Sequence, residues 1–374
     1  MNQAEILLYG VGDLRPSRDN PESIFTEVVP TLKEADILFG QLETNFSERG
    51  TPQMHMLPGA RTHPRNVRAL TYAGFDIVSY ASNHHLDWGE DALLDTLDVL
   101  RQNRIAVVGV GKNIDEARKP AVIERNGTKV AFLDYCSVLP KGYEAGPNKS
   151  GCAPMRASTA FEHVDWQPGN APRVLSFAKK EDLEAMREDI RKVRAMADVV
   201  VMSIHWGIHF VHGLIAMYQK EVGYAAIDAG VDLILGHHPH VLKGIEVYKG
   251  KVIFYSLGNF AFDHPIEKVR NSPHSDLALW GELYRREPLD PEYPTYAFPP
   301  ESRKTMIAKC IISNKKIVKV SFLPAMINKQ SQPVILAADD KRSEEVFNDV
   351  DQMTKDQNLG TQFSRDGDEV VVHT

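Results

Sequence analysis

The chain has 374 residues, 43% of them hydrophobic and 25% charged, with a formal net charge of −7. That length admits one large domain with an appendage, or two domains. The acidic balance, without any dense Lys/Arg stripe, argues against nucleic acid or an anionic membrane as the main partner. Cys136, Cys152 and Cys310 are odd in number and far apart, which argues against a disulfide framework and against a cysteine-based zinc site.

The opening MNQAEILLYGVGD has no basic n-region and reads as a first strand, not a signal peptide. No run of eighteen apolar residues occurs, so no membrane span is expected. The expectation is a soluble cytoplasmic protein.

Residues 5–12 form an apolar run that ends in Gly12-Asp13, a strand-to-loop signal. Residues 22–35 read as a helix, 36–40 as a buried strand followed by Gln41-Leu42-Glu43, and 63–73 as a helix closed near Gly74. A third strand over 75–80 runs into Ala81-Ser82-Asn83-His84. Leu93, Leu94, Leu97, Val99 and Leu100 give 90–103 helical periodicity, and 105–109 is a fourth strand. A hairpin follows over 121–124 and 129–135, turning at Asn126-Gly127. Next come a helix over 180–197, a strand over 199–204, a helix over 218–229 and a strand over 231–235. The tail holds a hairpin-like pair at 305–312 and 317–322, a helix near 341–356 and a turn at Asp366-Gly367. Alternating strands and helices imply an α/β protein, and the continuously apolar strands suit a sheet covered on both faces. Residues 137–175 and the proline-rich 264–302 have no clear period, and the first is expected to be an insertion serving as a lid or substrate loop.

One position recurs. Asp13, Glu43, Asn83, His205 and the run Gly236-His237-His238-Pro239-His240 each follow a core strand. Eight of the fourteen histidines fall in or near these places (84, 85, 205, 209, 212, 237, 238 and 240). Taken singly, Asp13 reads as a turn former, Glu43 as a loop carboxylate and His205 as a core histidine. Together, at the carboxyl ends of strands in an open sheet, they line one crevice. Carboxylates, an amide oxygen and imidazoles suit one or two divalent transition-metal ions, Mn, Zn or Fe.

Gly12-Asp13, Gln41-Leu42-Glu43-Thr44, Asn83-His84, His205-Trp206-Gly207, the stretch from Asp228 to Val241 and Tyr255-Ser256-Leu257-Gly258-Asn259-Phe260 resemble the CapA / poly-γ-glutamate capsule biosynthesis family. That family resembles the calcineurin-like metallophosphoesterases. The resemblance runs from about residue 5 to 263 and implies a four-layer α/β/β/α sandwich. The catalytic core is expected over 1–263, and 264–374, which match the family less clearly, are expected as a C-terminal extension packed on it. Carried over by position, Asp13 binds one metal, Glu43 takes the bridging carboxylate place, and Asn83, His205 and His238 bind the second metal. His240 returns to the first, and His84 is the acid or proton shuttle. His238 and His240 are preferred over His237 because an x-separated pair points to one side of an extended segment.

Two departures stand out: Arg15 occupies a place where those phosphatases usually have a histidine, and Glu43 stands for an aspartate. Asp13, Arg15 and His84 are the candidate catalytic residues, and Arg15, Arg18 and Arg61 are candidates for clamping an anion. Trp88 and Trp206 are candidates for an apolar substrate wall, and Asn259 for placing donors near the site. The implied activity is metal-dependent hydrolysis of an amide, peptide-like or phosphoester bond in an acidic small-molecule or peptide-like substrate. The alternatives are a metal-dependent peptide epimerase and a non-catalytic accessory of capsule polymer synthesis.

Overall fold

Two stacked β-sheets organise the chain in the computed structural model, which describes residues 5–53, 61–165, 169–267 and 289–374. The chain first lays down β1 (Ile6–Arg15), β2 (Ile37–Leu42), α1 (Val67–Ala73), β3 (Ile77–Ser79), α2 (Gly89–Gln102) and β4 (Ala106–Val108). It continues with β5 (Ala121–Arg125), β6 (Thr128–Cys136), β7 (Ala157–Glu162), β8 (Arg173–Ala178), α3 (Lys180–Arg194) and β9 (Val199–His205). Then come α4 (Met217–Ala229), β10 (Leu233–His237), β11 (Ile245–Tyr248), β12 (Lys251–Phe254) and β13 (Asn259–Phe262). The last described elements are β14 (Lys304–Ser313), β15 (Lys316–Ile327), α5 (Lys341–Asp356), β16 (Gln362–Asp366) and β17 (Glu369–His373).

The larger sheet runs β16-β17-β15-β14-β1-β2-β3-β4, with β13 beside the end of β1 and Pro333–Ile335 beside β15. The smaller runs β11-β12-β10-β9-β6-β5. Side chains alternate along each strand, so each sheet has two apolar faces to cover. Ile6, Leu8, Phe39 and Ile77 of the larger sheet pack against Phe132, Val201, Leu233 and Leu235 of the smaller. Tyr9, Val11 and Val78 point the other way, into a core shared with α1 and α2. Met202, Ile204 and Ile234 face α3 and α4. The layers are therefore helix, sheet, sheet, helix, the sandwich that the resemblance implied.

Local chemistry explains most boundaries. Gly74 ends α1 with φ at 91°, a left-handed position that glycine adopts without strain. Three hairpins turn on residue pairs with positive φ, Asn126-Gly127, Lys249-Gly250 and Asn314-Lys315, as the twist of paired strands requires. The helix expected over 22–35 is broken into a 3-10 turn, Pro21–Phe25, and a single turn, Val29–Leu32. Pro30 has no N–H to continue a helix through that point. The strand read over 231–235 starts at Leu233 and runs on to His237, which carries the first histidine of the cluster inside the sheet.

Residues 137–175, aperiodic in sequence, include Gly151–Cys152 paired to Val110–Gly111, and most of the β7–β8 ribbon. In the C-terminal part, β14 pairs antiparallel with β1 from Ile6↔Ile312 to Val11↔Ile307. The strand that ends in Asp13 is thus flanked by β2 from the N-terminal half and β14 from the C-terminal part.

Candidate metal centre

Asp13 reaches the centre because β1 slips register around Gly12 and Asp13. A Cβ on Gly12 would lie 2.0 Å from the Gly258 carbonyl oxygen, and the Asp13 N–H donates to that same oxygen at 3.0 Å. Only glycine fits this approach, and the slip brings the Asp13 carboxylate to His237 at the end of β10 in the other sheet. Glu43 follows the last residue of β2, and its N–H is held by the Leu14 carbonyl. Asn83 and His84 lie in the turn after β3, His205 is the last residue of β9, and His238 and His240 follow β10. His238 and His240 have φ of 96° and 56°. Left-handed backbone in bulky residues costs free energy and persists where the surroundings impose it, most often at functional sites.

The geometry converges on one oxygen. Oε1 of Glu43 lies 3.7 Å from Nε2 of His84, 3.8 Å from Nε2 of His205 and 3.8 Å from Nε2 of His240. Asp13 lies 3.4 Å from Nδ1 of His240 through Oδ2 and 3.4 Å from Nδ1 of His237 through Oδ1. Asn83 Oδ1 is 2.8 Å from His205 Nε2, which is 3.2 Å from His238 Nδ1. Ligand atoms of Asp13, Glu43 and His240 all fall within 4.8 Å of one another.

These groups fit a metal. Both oxygens of Asp13 and both of Glu43 are buried without a hydrogen-bond partner among the described residues, as is Nδ1 of His205. Buried carboxylates left so are costly unless a cation satisfies them. The mixed donor set of carboxylate, amide oxygen and imidazole suits a borderline divalent ion.

The electrostatics divide the site. Burial alone would raise the Asp13 carboxyl, but the facing His237 and His240 imidazoles outweigh it and hold it well below the usual carboxylate range. Glu43 is pushed up to about 7 by burial and by the Asp13 charge, against the pull of His240. Burial drives His205 and His238 well below the ordinary imidazole value, favouring the neutral form in which an imidazole can bind a metal. His84 and His240 move the other way. Burial opposes their protonation, but Asp87 and Glu43 for His84, and Glu43 and Asp13 for His240, more than offset it.

Asp13, Glu43, Asn83, His84, His205, His238 and His240 are therefore brought together. Asn259 sits behind them: its Oδ1 is 2.8 Å from His240 Nδ1 and its amide donates to the Tyr296 hydroxyl at 2.7 Å. It orients a histidine. Arg15 lies at the end of β1, within the field of Glu43 and Asp87. Arg61 and Trp88 stack on each other at 3.8 Å, and Arg61 donates to the carbonyls of Glu48 and Arg49. Neither joins the cluster. Trp206 is a correction. It is fully buried against Tyr255 on the helix side of the smaller sheet and donates to the Tyr255 carbonyl at 2.9 Å, so it forms core, not a substrate wall. Adjacent strand residues point to opposite faces, and His205 took the site side.

Two participants had no assigned role in the sequence. Asp87 holds Nδ1 of His84 at 2.6 Å, and the spacing of three residues was the available signal. His209 packs its ring 3.8 Å from that of His238, four residues after His205 in an irregular loop.

The family model for the bacterial capsule synthesis protein PGA_cap matches residues 8–264. The PGA biosynthesis protein CapA of Bacillus subtilis is 32% identical over 67% of this chain and 60% of its own length. The capsule biosynthesis protein CapA of Bacillus anthracis is 28% identical over 68% of this chain and 57% of its own. The chain thus spans about three fifths of the length of these curated relatives. The crystal structure of a hypothetical protein from Thermus thermophilus covers 88% of this chain and 99% of its own at 13% identity, with a TM-score of 0.45, a likeness too loose to carry function.

Proposed function

We propose that this chain, which belongs to the bacterial capsule synthesis protein family PGA_cap, is a metal-dependent hydrolase acting on an acidic, amide-linked substrate. The observation that carries the reading is the Glu43 carboxylate, buried without a hydrogen-bond partner among the described residues at the focus of three imidazoles. Asp13, Glu43 and His240 would hold one ion, and Asn83, His205 and His238, sharing Glu43, a second. A bound divalent ion supplies a water of lowered pKa and polarises the oxygen of the bond under attack.

The protein's own groups do the rest. Asp87 accepts the Nδ1 proton of His84, so Nε2, which here accepts from the Asn83 amide at 3.1 Å, is the atom that takes up a proton and passes it to the leaving group. The His84 side chain is 22% exposed, whereas those of His205 and Glu43 are fully buried, so His84 can meet a substrate while they hold their places. His237 and Asn259 fix Asp13 and His240 from behind, as outer partners of metal ligands do. The amide preference follows from two features: the relatives are named for PGA and capsule biosynthesis, and Arg15 replaces a usual phosphatase ligand.

The test is metal content by plasma mass spectrometry together with release of glutamate from γ-glutamyl peptides and of phosphate from phosphoesters. Bound transition metal and glutamate release support the proposal. Metal with phosphate release alone moves the substrate to phosphoesters. No metal after reconstitution with Mn, Zn or Fe removes the catalytic reading.

A further inference from the structure

Three arginines, Arg15, Arg18 and Arg61, stand near the centre in sequence, and two are already engaged. Arg18 grips Asp263 with Nε at 3.1 Å and Nη2 at 2.6 Å. Arg61 is held by two backbone carbonyls and the Trp88 ring. Arg15 differs. Its Nε is buried without a hydrogen-bond partner, and its guanidinium forms no ion pair among the described residues. Its guanidinium carbon lies 5.5 Å from the centre of the Phe262 ring, and that ring lies 5.5 Å from the ring of His240.

The surrounding carboxylates do not take it up, although Glu43, Asp87 and Asp263 all act on its charge. Glu43 is turned to the imidazoles. Asp87 is occupied on both oxygens, by His84 at 2.6 Å and by the Tyr143 hydroxyl at 2.9 Å. Asp263 belongs to Arg18. A guanidinium carries five donors in a rigid fork; here Arg15 is half-buried, and its Nε donor is the one buried without a partner, which is costly to leave so. Where a fold tolerates such a group beside a cluster of ligand side chains, the missing partner is expected from outside.

We propose that Arg15 is the residue that receives an oxyanion of the substrate, a carboxylate or a phosphate, next to the bond presented to the metal centre. The fork matches two oxygens of either group, and the Phe262 face supports the guanidinium plane without competing for its donors. The proposal rests on the metal-centre reading for the position of the reacting bond, but not for the existence of the anion site. It narrows the substrate to molecules whose scissile group has an anionic neighbour, or is itself a phosphoryl group.

The experiment is calorimetric titration of the full 374-residue chain, manganese-loaded and metal-stripped, with glutarate and with inorganic phosphate. Wild type, Arg15→Gln and Arg15→Lys are compared at matched metal content and melting temperature. The expected result is binding of at least one probe, weakened about ten- to a hundredfold in Arg15→Gln and partly recovered in Arg15→Lys. Weakening confined to glutarate assigns the site to carboxylates, and weakening confined to phosphate assigns it to phosphoryl groups. Equal affinity in wild type and Arg15→Gln, or binding of neither probe by the wild type, overturns the proposal. Absence of bound manganese in the wild type overturns the metal reading separately, because Arg15-dependent binding of glutarate to the stripped protein stays measurable.

Discussion

His84 and Asp87, three residues apart, face each other across a 2.6 Å contact between Nδ1 and Oδ2, while the Tyr143 hydroxyl holds the other Asp87 oxygen at 2.9 Å. The pair fixes which imidazole nitrogen faces the centre. Asp87→Asn keeps the shape but removes the acceptor that selects this tautomer. Turnover should fall about ten- to a hundredfold with KM and metal content little changed. His84→Ala should retain metal and slow turnover by about 10²–10⁴. Unaltered kcat in either variant would remove His84 from proton transfer.

His238→Ala should lose bound metal and activity together, because His238 sits on His205, which in turn contacts Asn83. Plasma mass spectrometry on wild type and variant reads this directly. Full metal content in the variant is the result that contradicts the ligand assignment.

Metal addition should raise thermal stability. Asp13 and Glu43 place two buried carboxylates side by side, and an ion that binds only the folded state stabilises it by about 2.7 kcal/mol at a hundred times its Kd. Melting temperature should climb with Mn²⁺ concentration in wild type and stay flat in Asp13→Asn. A rise of the same size in both would place the ion elsewhere.

Asp134 gives a pH signature away from the ligands. Its carboxyl is pushed up to about 8 by burial, although it accepts the Ala81 N–H at 2.9 Å. A carboxyl whose folded pKa is raised stabilises the fold while protonated. That contribution is fully present below about pH 4 and is lost as pH rises through 8. Over the interval the slope is about −1.4 kcal/mol per pH unit. Urea unfolding from pH 5 to 8 should show wild type losing stability faster than Asp134→Asn, the difference isolating Asp134 from Glu43. Parallel curves would mean that Asp134 is ionised in the fold.

Much of this centre was legible because each candidate ligand follows an apolar run, and such a run marks a strand end regardless of what it packs against. Asp13, Glu43, Asn83, His205, His238 and His240 all carried that mark. Trp206 was misplaced because adjacency in sequence means opposite faces in a strand. Asp87 and His209 lie in irregular turns, where no period announces which way a side chain points. The pairing of β14 with β1 joins residues some three hundred positions apart, and the periodicity of neither strand encodes its partner.

That pairing bears on how the protein is made. On a ribosome β1 emerges long before β14, with β2 available on one side, but along Ile6–Val11 its other edge offers unpaired N–H and C=O groups until 304–313 has been synthesised. An open edge is a template for wrong partners, and long-range pairing is slow. The strand that presents Asp13 is therefore sealed only after some three hundred further residues have been made, and a nascent chain stalled before residue 304 should be the species that chaperones hold and that aggregates.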